Sequence, residues 1–245
     1  MKTVNIFQCN IQSISKNKNE LIRVLIQDEY EIALISECWT KQELEDSKYR
    51  IPNYNNFYSS REDGYGGAMV ILHRSLRSRS LQLKNTKNIQ AVGRYVTDLD
   101  LAVVSIYASP GTSIGEFKEG MQEIIQAVSA IKNFVVGGDM NAHSRIWDSY
   151  HADNKGEALY QIITNENIIL MNDGQPTYIP AELNKRASTI DLVLCSPTIY
   201  QDTEMQILDF GIGSSMAIKT TIVRNGQNAE RKIINKRKLL EEIRQ

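Results

Sequence analysis

Short apolar segments that end on polar side chains set the terms on which this chain can fold. VNIFQC runs into Asn10, EIALIS into Glu37 and NFVVGG into Asp139, while LAVVSIYA carries Tyr107 near its end. Segments this short, rich in Val and Ile, read as buried strands, since helices take about ten residues or more. Tyr54 to Ser60, Ala68 to Leu72, Ile89 to Thr97, Ser188 to Ser196, Met205 to Phe210 and Ala217 to Val223 read as strands by the same criterion. The turn Asp98-Leu99-Asp100 between two of these runs predicts a hairpin, hence antiparallel pairing, which does not fit a doubly wound parallel sheet. Helical spacing is confined to three main stretches. Asn19 to Gln27 places Leu21, Val24 and Leu25 on one face, and Gly156 to Asn165 is a further helix. Ser113 to Ile131 places Phe117, Met121, Ile124, Ile125 and Val128 together, with Ser113 and Glu116 spaced as a capping box. Many strands with few interspersed helices predict an α/β layered sandwich.

A hydrophobic share of 42% supplies a core and excludes disorder for most of the chain. The 245 residues fit one large domain, and the shift in composition at Arg224 to Asn228 places its end there. We therefore expect a domain over residues 1–224 and a charged linker or appended helix over 225–245. A net charge of -1 gives no global sign of a nucleic-acid binder, so any DNA contact must come from local basic patches or a metal. Cys9, Cys38 and Cys195 sit in or beside apolar runs without CxxC spacing, which predicts reduced thiols in an intracellular protein and no zinc site. The first residues lack a signal-peptide core, and no apolar run approaches the roughly 20 residues that span a bilayer, so no membrane partner is expected.

Asn10, Glu37, Tyr107 and Asp139 share a position at strand ends, and Asn141 follows in the next loop. Rigid scaffolds present chemistry there. Taken singly, each has a plainer explanation: a turn residue, a helix N-terminal acid, a core phenol, a cap. Their joint order carries the functional reading. Carboxylates, amides and a phenol suit a hard cation and a phosphate, and Mg²⁺ takes one or two carboxylates plus waters and substrate phosphate.

These motifs resemble those of the endonuclease/exonuclease/phosphatase family. Ile35-Ser36-Glu37-Cys38-Trp39 is similar to its Gln-Glu-Thr-Trp metal motif, and Ser105-Ile106-Tyr107 with Pro110 to its Tyr-bearing strand end. Gly137-Gly138-Asp139-Met140-Asn141-Ala142-His143 resembles Gly-Asp-Phe-Asn-Ala-His, and Asn172-Asp173-Gly174-Gln175-Pro176-Thr177 followed by Ser188-Thr189-Ile190-Asp191-Leu192 resembles the C-terminal stretch. The combination looks most like the apurinic-type endonuclease domains of Jockey- and I-like non-LTR retrotransposons, over residues 4–223. The resemblance implies a DNase I-like four-layer α/β sandwich with two central mixed β-sheets flanked by helices. It implies that Glu37 and Asn10 hold Mg²⁺ (or Mn²⁺), that Tyr107 and Asn141 contact phosphate, and that Asp139 orients the attacking water. Asp191 would orient a general-base histidine. The partners implied are DNA and a downstream reverse transcriptase in the same polyprotein, and the location implied for a working copy is nuclear.

The sequence departs from the family at its last motif, Ser-Asp-His. The matching stretch is Gly211-Ile212-Gly213-Ser214-Ser215-Met216-Ala217-Ile218, and no Asp or His occurs from Gly211 to Thr221. An ungapped match sets serines where Asp and His belong; a one-residue gap removes the His and sets Ser215 at the Asp position. Either way the imidazole is missing, and weak or no cleavage is expected. Of the remaining histidines, His73 reads as a surface or half-buried residue and His151 as an exposed one, while His143, within the motif, could reach the edge of the site. Arg77, Arg79, Lys185, Arg186 and Arg145 are the leading phosphate-contacting candidates, with Arg61 and Arg74 behind them. Two other readings stay open: a catalytically inactive DNA-binding relic, and a phosphatase of the same fold.

Overall fold

The computed structural model describes residues 2–40, 49–147, 152–180, 186–213 and 215–224, so the expected tail and Lys185 lie outside the described residues. Strands β1 (Lys2–Asn10), β2 (Ile32–Ser36), β3 (Tyr54–Ser59), β4 (Ala68–His73), β11 (Thr203–Ile207) and β12 (Ile218–Arg224) form one sheet, in the order β11-β12-β1-β2-β4-β3. Strands β5 (Ser78–Ser80), β6 (Ile89–Val96), β7 (Leu101–Ala108), β8 (Phe134–Asp139), β9 (Ile169–Leu170) and β10 (Asp191–Cys195) form the other, in the order β5-β6-β7-β8-β10-β9. Both sheets are mixed, each with one parallel pair, β1 with β2 and β7 with β8. The longer helices are α1 (Ile14–Gln27), α2 (Ile114–Ser129) and α3 (Asn154–Asn165), and a short α4 (Pro197–Tyr200) precedes β11.

Side-chain alternation sorts the apolar residues into three buried groups, because successive strand residues point to opposite faces. Val4, Ile6, Ile32, Leu34, Val70 and Leu72 of the first sheet meet Val103, Val135 and Val193 of the second in a layer between the sheets. Their neighbours Phe7, Cys9, Ala33, Ile35, Met69 and Ile71 face outward onto Leu21, Val24 and Leu25 of α1. On the other outer face, Val104, Ile106, Val136 and Leu192 pack against Phe117, Met121 and Ile124 of α2 and Leu159 and Ile163 of α3. The result is the four-layer α/β sandwich. Each fully buried Leu, Ile, Val or Phe contributes about 1.5–3 kcal/mol relative to exposure, which is why continuous apolar strands are found here.

Several element ends differ from the sequence reading. α1 begins at Ile14 rather than near Asn19, because Ile14 is itself buried and Ser13 N and Ile14 N bond the carbonyls of Glu37 and Cys38. The strand expected from Ser188 starts at Asp191; Ser188 instead forms an isolated bridge with Tyr178. β5, β9 and α4 are too short to carry a period of their own. Ser113 caps α2 by accepting from Glu116 N, but the Glu116 carboxylate does not return to close the box. It accepts from Thr86 Oγ1 at 2.6 Å, Asn88 N at 2.9 Å and Asn88 Nδ2 at 2.8 Å, anchoring the segment before β6.

Candidate active site

The alternation that builds the inter-sheet layer also aims the polar strand ends at one another. Val4, Ile6, Gln8 and Asn10 share one face of β1; Val103, Ser105 and Tyr107 share one face of β7; Val135, Gly137 and Asp139 share one face of β8; Asp191 and Val193 share one face of β10. The apolar members of these rows fill the layer, and the polar members close it at one end. Tyr107 pairs with Asp139 in register, Asp139 with Asp191, and Asn10 with Ser36, so each sheet delivers a row of polar groups to the same rim.

Hydrogen bonds stitch the rows together across the layer. Ser36 Oγ donates to Ile106 O at 3.2 Å and accepts from Asp139 N at 3.0 Å, while Ser105 Oγ donates to Ile35 O at 2.9 Å. Gln8 Nε2 donates to Leu192 O at 3.3 Å. Both glycines of the Gly-Gly-Asp run have a steric cause: a Cβ on Gly137 would stand 2.0 Å from Gln8 Oε1 of the other sheet, and one on Gly138, at φ 147°, would stand 1.9 Å from Ile106 O on the neighbouring strand of its own sheet.

Asn10 is the hinge of the polar group. Its Nδ2 donates to Glu37 Oε1 and to Asp139 Oδ2, both at 2.9 Å, and its Oδ1 accepts from Gln12 N at 3.3 Å. Glu37 leaves β2 in a left-handed conformation, φ 51°, which turns its carboxylate back to the rim. Trp39 Nε1 holds the other oxygen of Glu37 at 3.2 Å, a contact that the sequence reading missed. Asn141, also left-handed at φ 43°, donates its backbone N–H to Asp139 Oδ1 at 3.1 Å and its amide to Ala108 O at 3.0 Å.

Asp191 is fully buried, and neither of its carboxylate oxygens meets a partner at hydrogen-bond geometry; Ser215 Oγ is in the same condition. The backbone around Asp191 is tightly held. Thr177 Oγ1 accepts from Ile190 N at 3.2 Å and Asp191 N at 3.0 Å, and Asn172 Nδ2 donates to Asp191 O at 3.0 Å. These are the functions of the Asn-x-Gly-x-Pro-Thr stretch: it aims a carboxylate it does not itself satisfy.

Burial first, then the charges of Asp191 and Glu37, lifts the Asp139 carboxyl well above the usual carboxylate range, against the pull of the Asn10 and Asn141 hydrogen bonds. Burial likewise lifts Asp191 to about 7; the nearby Ser215 and Thr177 hydroxyls oppose the rise without a fully formed bond, and Glu37 adds to it. Tyr107 is pushed up by burial and then by Glu37 and Asp139, with Arg61 working the other way. It stays a neutral phenol and hydrogen-bond donor. Arg61 packs beside Tyr107 at Gly66, where a Cβ would meet both side chains, and it pairs with Asp63 at 2.7 Å.

A divalent ion fits this donor set. Two carboxylates converge on the positive end of one amide dipole, and a third raises the negative potential. Among the described residues no cluster of three or more His, Cys, Asp or Glu is placed to cage an ion. Hard carboxylate oxygens are the donor type that Mg²⁺ takes, one or two at a time with waters completing its shell.

Of the basic candidates, Arg61 alone is placed at Tyr107 by a described contact, and two fall at the far end of the hairpin. Arg77 and Arg79 lie by the Thr97–Leu99 turn, the opposite end of the β6–β7 hairpin from Tyr107, about 20 Å along the strands. Arg77 pairs with Asp98 at 2.6 Å, and Arg79 stacks over Tyr95 at 4.7 Å. Arg145 is exposed in the loop after β8, and Arg186 is exposed. His143 is half-buried, its backbone N–H bonded to Asp153 Oδ1 at 3.2 Å at the start of α3. His73 is half-buried and bonds Ser75 Oγ at 2.8 Å; His151 lies outside the described residues. All three cysteines are buried free thiols. No helix among the described residues is long and apolar enough to cross a membrane.

Residues 101–214 match the family described as "Endonuclease-reverse transcriptase". Over 197 residues, 79% of the chain, the sequence is 25% identical to the probable RNA-directed DNA polymerase from transposon BS of Drosophila melanogaster. It is 24% identical over 199 residues to the corresponding protein of the X-element from the same fly. The chain spans about a fifth of the length of these curated relatives, 21% in each case. The endonuclease domain of TRAS1, a telomere-specific non-LTR retrotransposon, superposes with a TM-score of 0.72 at 21% identity, covering 90% of this chain and 98% of that one. The AP endonuclease LMAP from Leishmania major superposes with a TM-score of 0.73 at 11% identity, covering 91% and 89%. At these identities the solved structures establish the fold alone.

Proposed function

We propose that this chain, a retrotransposon-endonuclease-like domain of DNase I-like fold, is built to nick one strand of DNA, and that it lacks the proton-transfer group that would make nicking fast. The carrying observation is Asp191: a buried carboxylate with no partner on either oxygen, facing Ser215. A carboxylate presented in this way is the orienting member of an acid–imidazole pair. The closeness of Ser215 to Asp191 supports the ungapped match, in which Ser215 stands at the histidine position.

Glu37, its carboxylate supported by the Asn10 amide, would hold Mg²⁺, or Mn²⁺ in its place, and the bound ion would neutralise charge on the phosphate being cut. Asp139, held by Asn10 and the Asn141 N–H, would orient a water. Tyr107, kept protonated, donates to a phosphate oxygen, and Asn141 can do the same by releasing Ala108 O. Arg61 adds a positive charge at the Tyr107 side. The product end would be a 3′ hydroxyl able to prime reverse transcription by a downstream polymerase, as the names of the curated relatives suggest. Such a reaction belongs with genomic DNA, hence in the nucleus.

Supercoiled-plasmid nicking with Mg²⁺ tests the reading. The unaltered chain should nick weakly or not at all, and Ser215→His should raise the rate about 10²- to 10⁴-fold. That gain should vanish when Asp191→Asn is added. Nicking by the unaltered chain at the rate of Ser215→His would defeat the proposal. DNA binding without cleavage by any variant would favour the inactive relic.

A further inference from the structure

At the side of the sandwich, where β3 ends the first sheet and β5 and β6 end the second, lies an open groove of about 410 Å³. Its walls are residues 57–60, 80–83, 85 and 91–94. The volume falls within the roughly 300–1,000 Å³ of small-ligand sites. Asn85 spans the two sides, donating to Ser59 Oγ at 2.7 Å and accepting from Ala91 N at 2.7 Å.

The lining holds no carboxylate and one cation, Arg94. Arg94 is half-buried, its guanidinium 3.9 Å from the Phe57 ring centroid. Its Nε and Nη2 bond only Ser78, at 3.0–3.2 Å, so its neighbours are neutral. Burial lowers its hold on its proton with no acid to offset the loss. Among the described residues Nη1 makes no hydrogen bond and Arg94 no ion pair. A desolvated guanidinium without a counter-charge favours an anionic ligand, and its planar fork suits phosphate. Phe57, Leu81 and Leu83 supply an apolar wall, and Ser59, Gln82 and Asn85 supply polar groups that suit a base edge.

One wall of the groove is bonded to the segment that follows Glu37. Ser60 Oγ bonds Thr40 Oγ1 at 2.6 Å, three residues after Glu37. Along β6, Arg94 lies four residues from Gln90, the partner of Tyr107, about 13 Å away.

We propose that the groove holds one unpaired nucleotide of a DNA strand, its phosphate on Arg94 and its base against the Phe57–Leu83 wall. The proposal rests on the nuclease reading above for the identity of its ligand, and a duplex is too wide to enter.

Fluorescence anisotropy in EDTA, where no cutting occurs, tests it with a labelled ten-nucleotide oligothymidylate and a blunt duplex of the same length. Arg94→Gln should weaken oligothymidylate binding about tenfold or more. Gln82→Glu, an exposed change that adds a negative charge at the rim, should weaken it several-fold without touching the fold. Duplex affinity should stay within about twofold for both. Equal oligothymidylate affinity across the three proteins would overturn the proposal, as would displacement of the oligomer by inorganic phosphate as effective as by thymidine monophosphate, which would make the groove a free-anion site. Because binding is read without metal, failure here leaves the Ser215→His nicking result standing, and failure of that rescue leaves this result standing.

Discussion

Asp191 is the residue at which stability and chemistry oppose each other. Its carboxyl is lifted from the ordinary 3.8 to about 7 by burial, so the folded state keeps a proton that the unfolded chain gives up near pH 4. Between roughly pH 4 and 7 the native state binds more protons than the unfolded one, and stability therefore falls as pH rises through this window. At about 1.4 kcal/mol per pKa unit the loss approaches ~4 kcal/mol by pH 8. Asp191→Asn should reduce this dependence, leaving the part that the buried Asp139 contributes, and give a variant more stable than the unaltered chain at pH 8 and little different at pH 4; urea melts at the two pH values check it. A parallel drop in both proteins would remove Asp191 as the cause. Tyr107, Asn10 and Asp139 show why strand-end residues could be selected from sequence: each interrupts an apolar run where nothing but packing would otherwise be expected. Ser36, Trp39 and Arg61 escaped, or stayed in the background, because serine beside glutamate, tryptophan beside cysteine and arginine in a loop are unremarkable until their partners are known.

At the scale of elements, α2 illustrates a local rule overridden by a tertiary one. Ser113-x-x-Glu116 has the spacing of a capping box, yet the Glu116 carboxylate serves Thr86 and Asn88 in the approach to β6. The three bonds it accepts there outweigh one return bond to Ser113. Ser113→Ala, which removes a 3.3 Å cap bond at an exposed site, should cost about 0.5–1 kcal/mol. Glu116→Ala, which strands the Asn88 N–H and two side-chain donors, should cost about 2–3 kcal/mol. Urea midpoints of the two variants decide the order, and the reverse ranking would restore the simple box. The short strands β5 and β9 follow the same logic in reverse: they exist because β6 and β10 offer them an edge, not because three or two residues prefer to be extended.

For the whole molecule, the two sheets are one folding unit because polar clasps as well as apolar contacts cross the layer between them. Ser36 both donates to Ile106 O and accepts from Asp139 N, so it joins the sheets at the site itself. Ser36→Ala should cost about 2–3 kcal/mol by leaving a buried N–H and a carbonyl without their partner. Trp39 follows β2 of the first sheet, and Trp147 packs in the buried layer outside the second. Tryptophan fluorescence and far-UV circular dichroism should therefore lose signal together on unfolding, in the variant as in the unaltered chain. Two separated transitions would show that the sheets come apart independently.

The amino-acid order alone was enough to select the longer strands, the layered class and the strand-end polar residues, because burial forces apolar runs and any polar group that ends one stands out. It also exposed the absence of an imidazole from the last motif. Which sheet each strand joins, and that Asn10 would bridge Glu37 and Asp139 while Ser215 came to rest against Asp191, depended on contacts between residues far apart in the chain, such as Gln8 with Leu192, 184 positions on, and Asn5 with Thr221, 216 positions on. Such contacts are decided by how two twisted sheets pack face to face, a property that no local window of the chain contains.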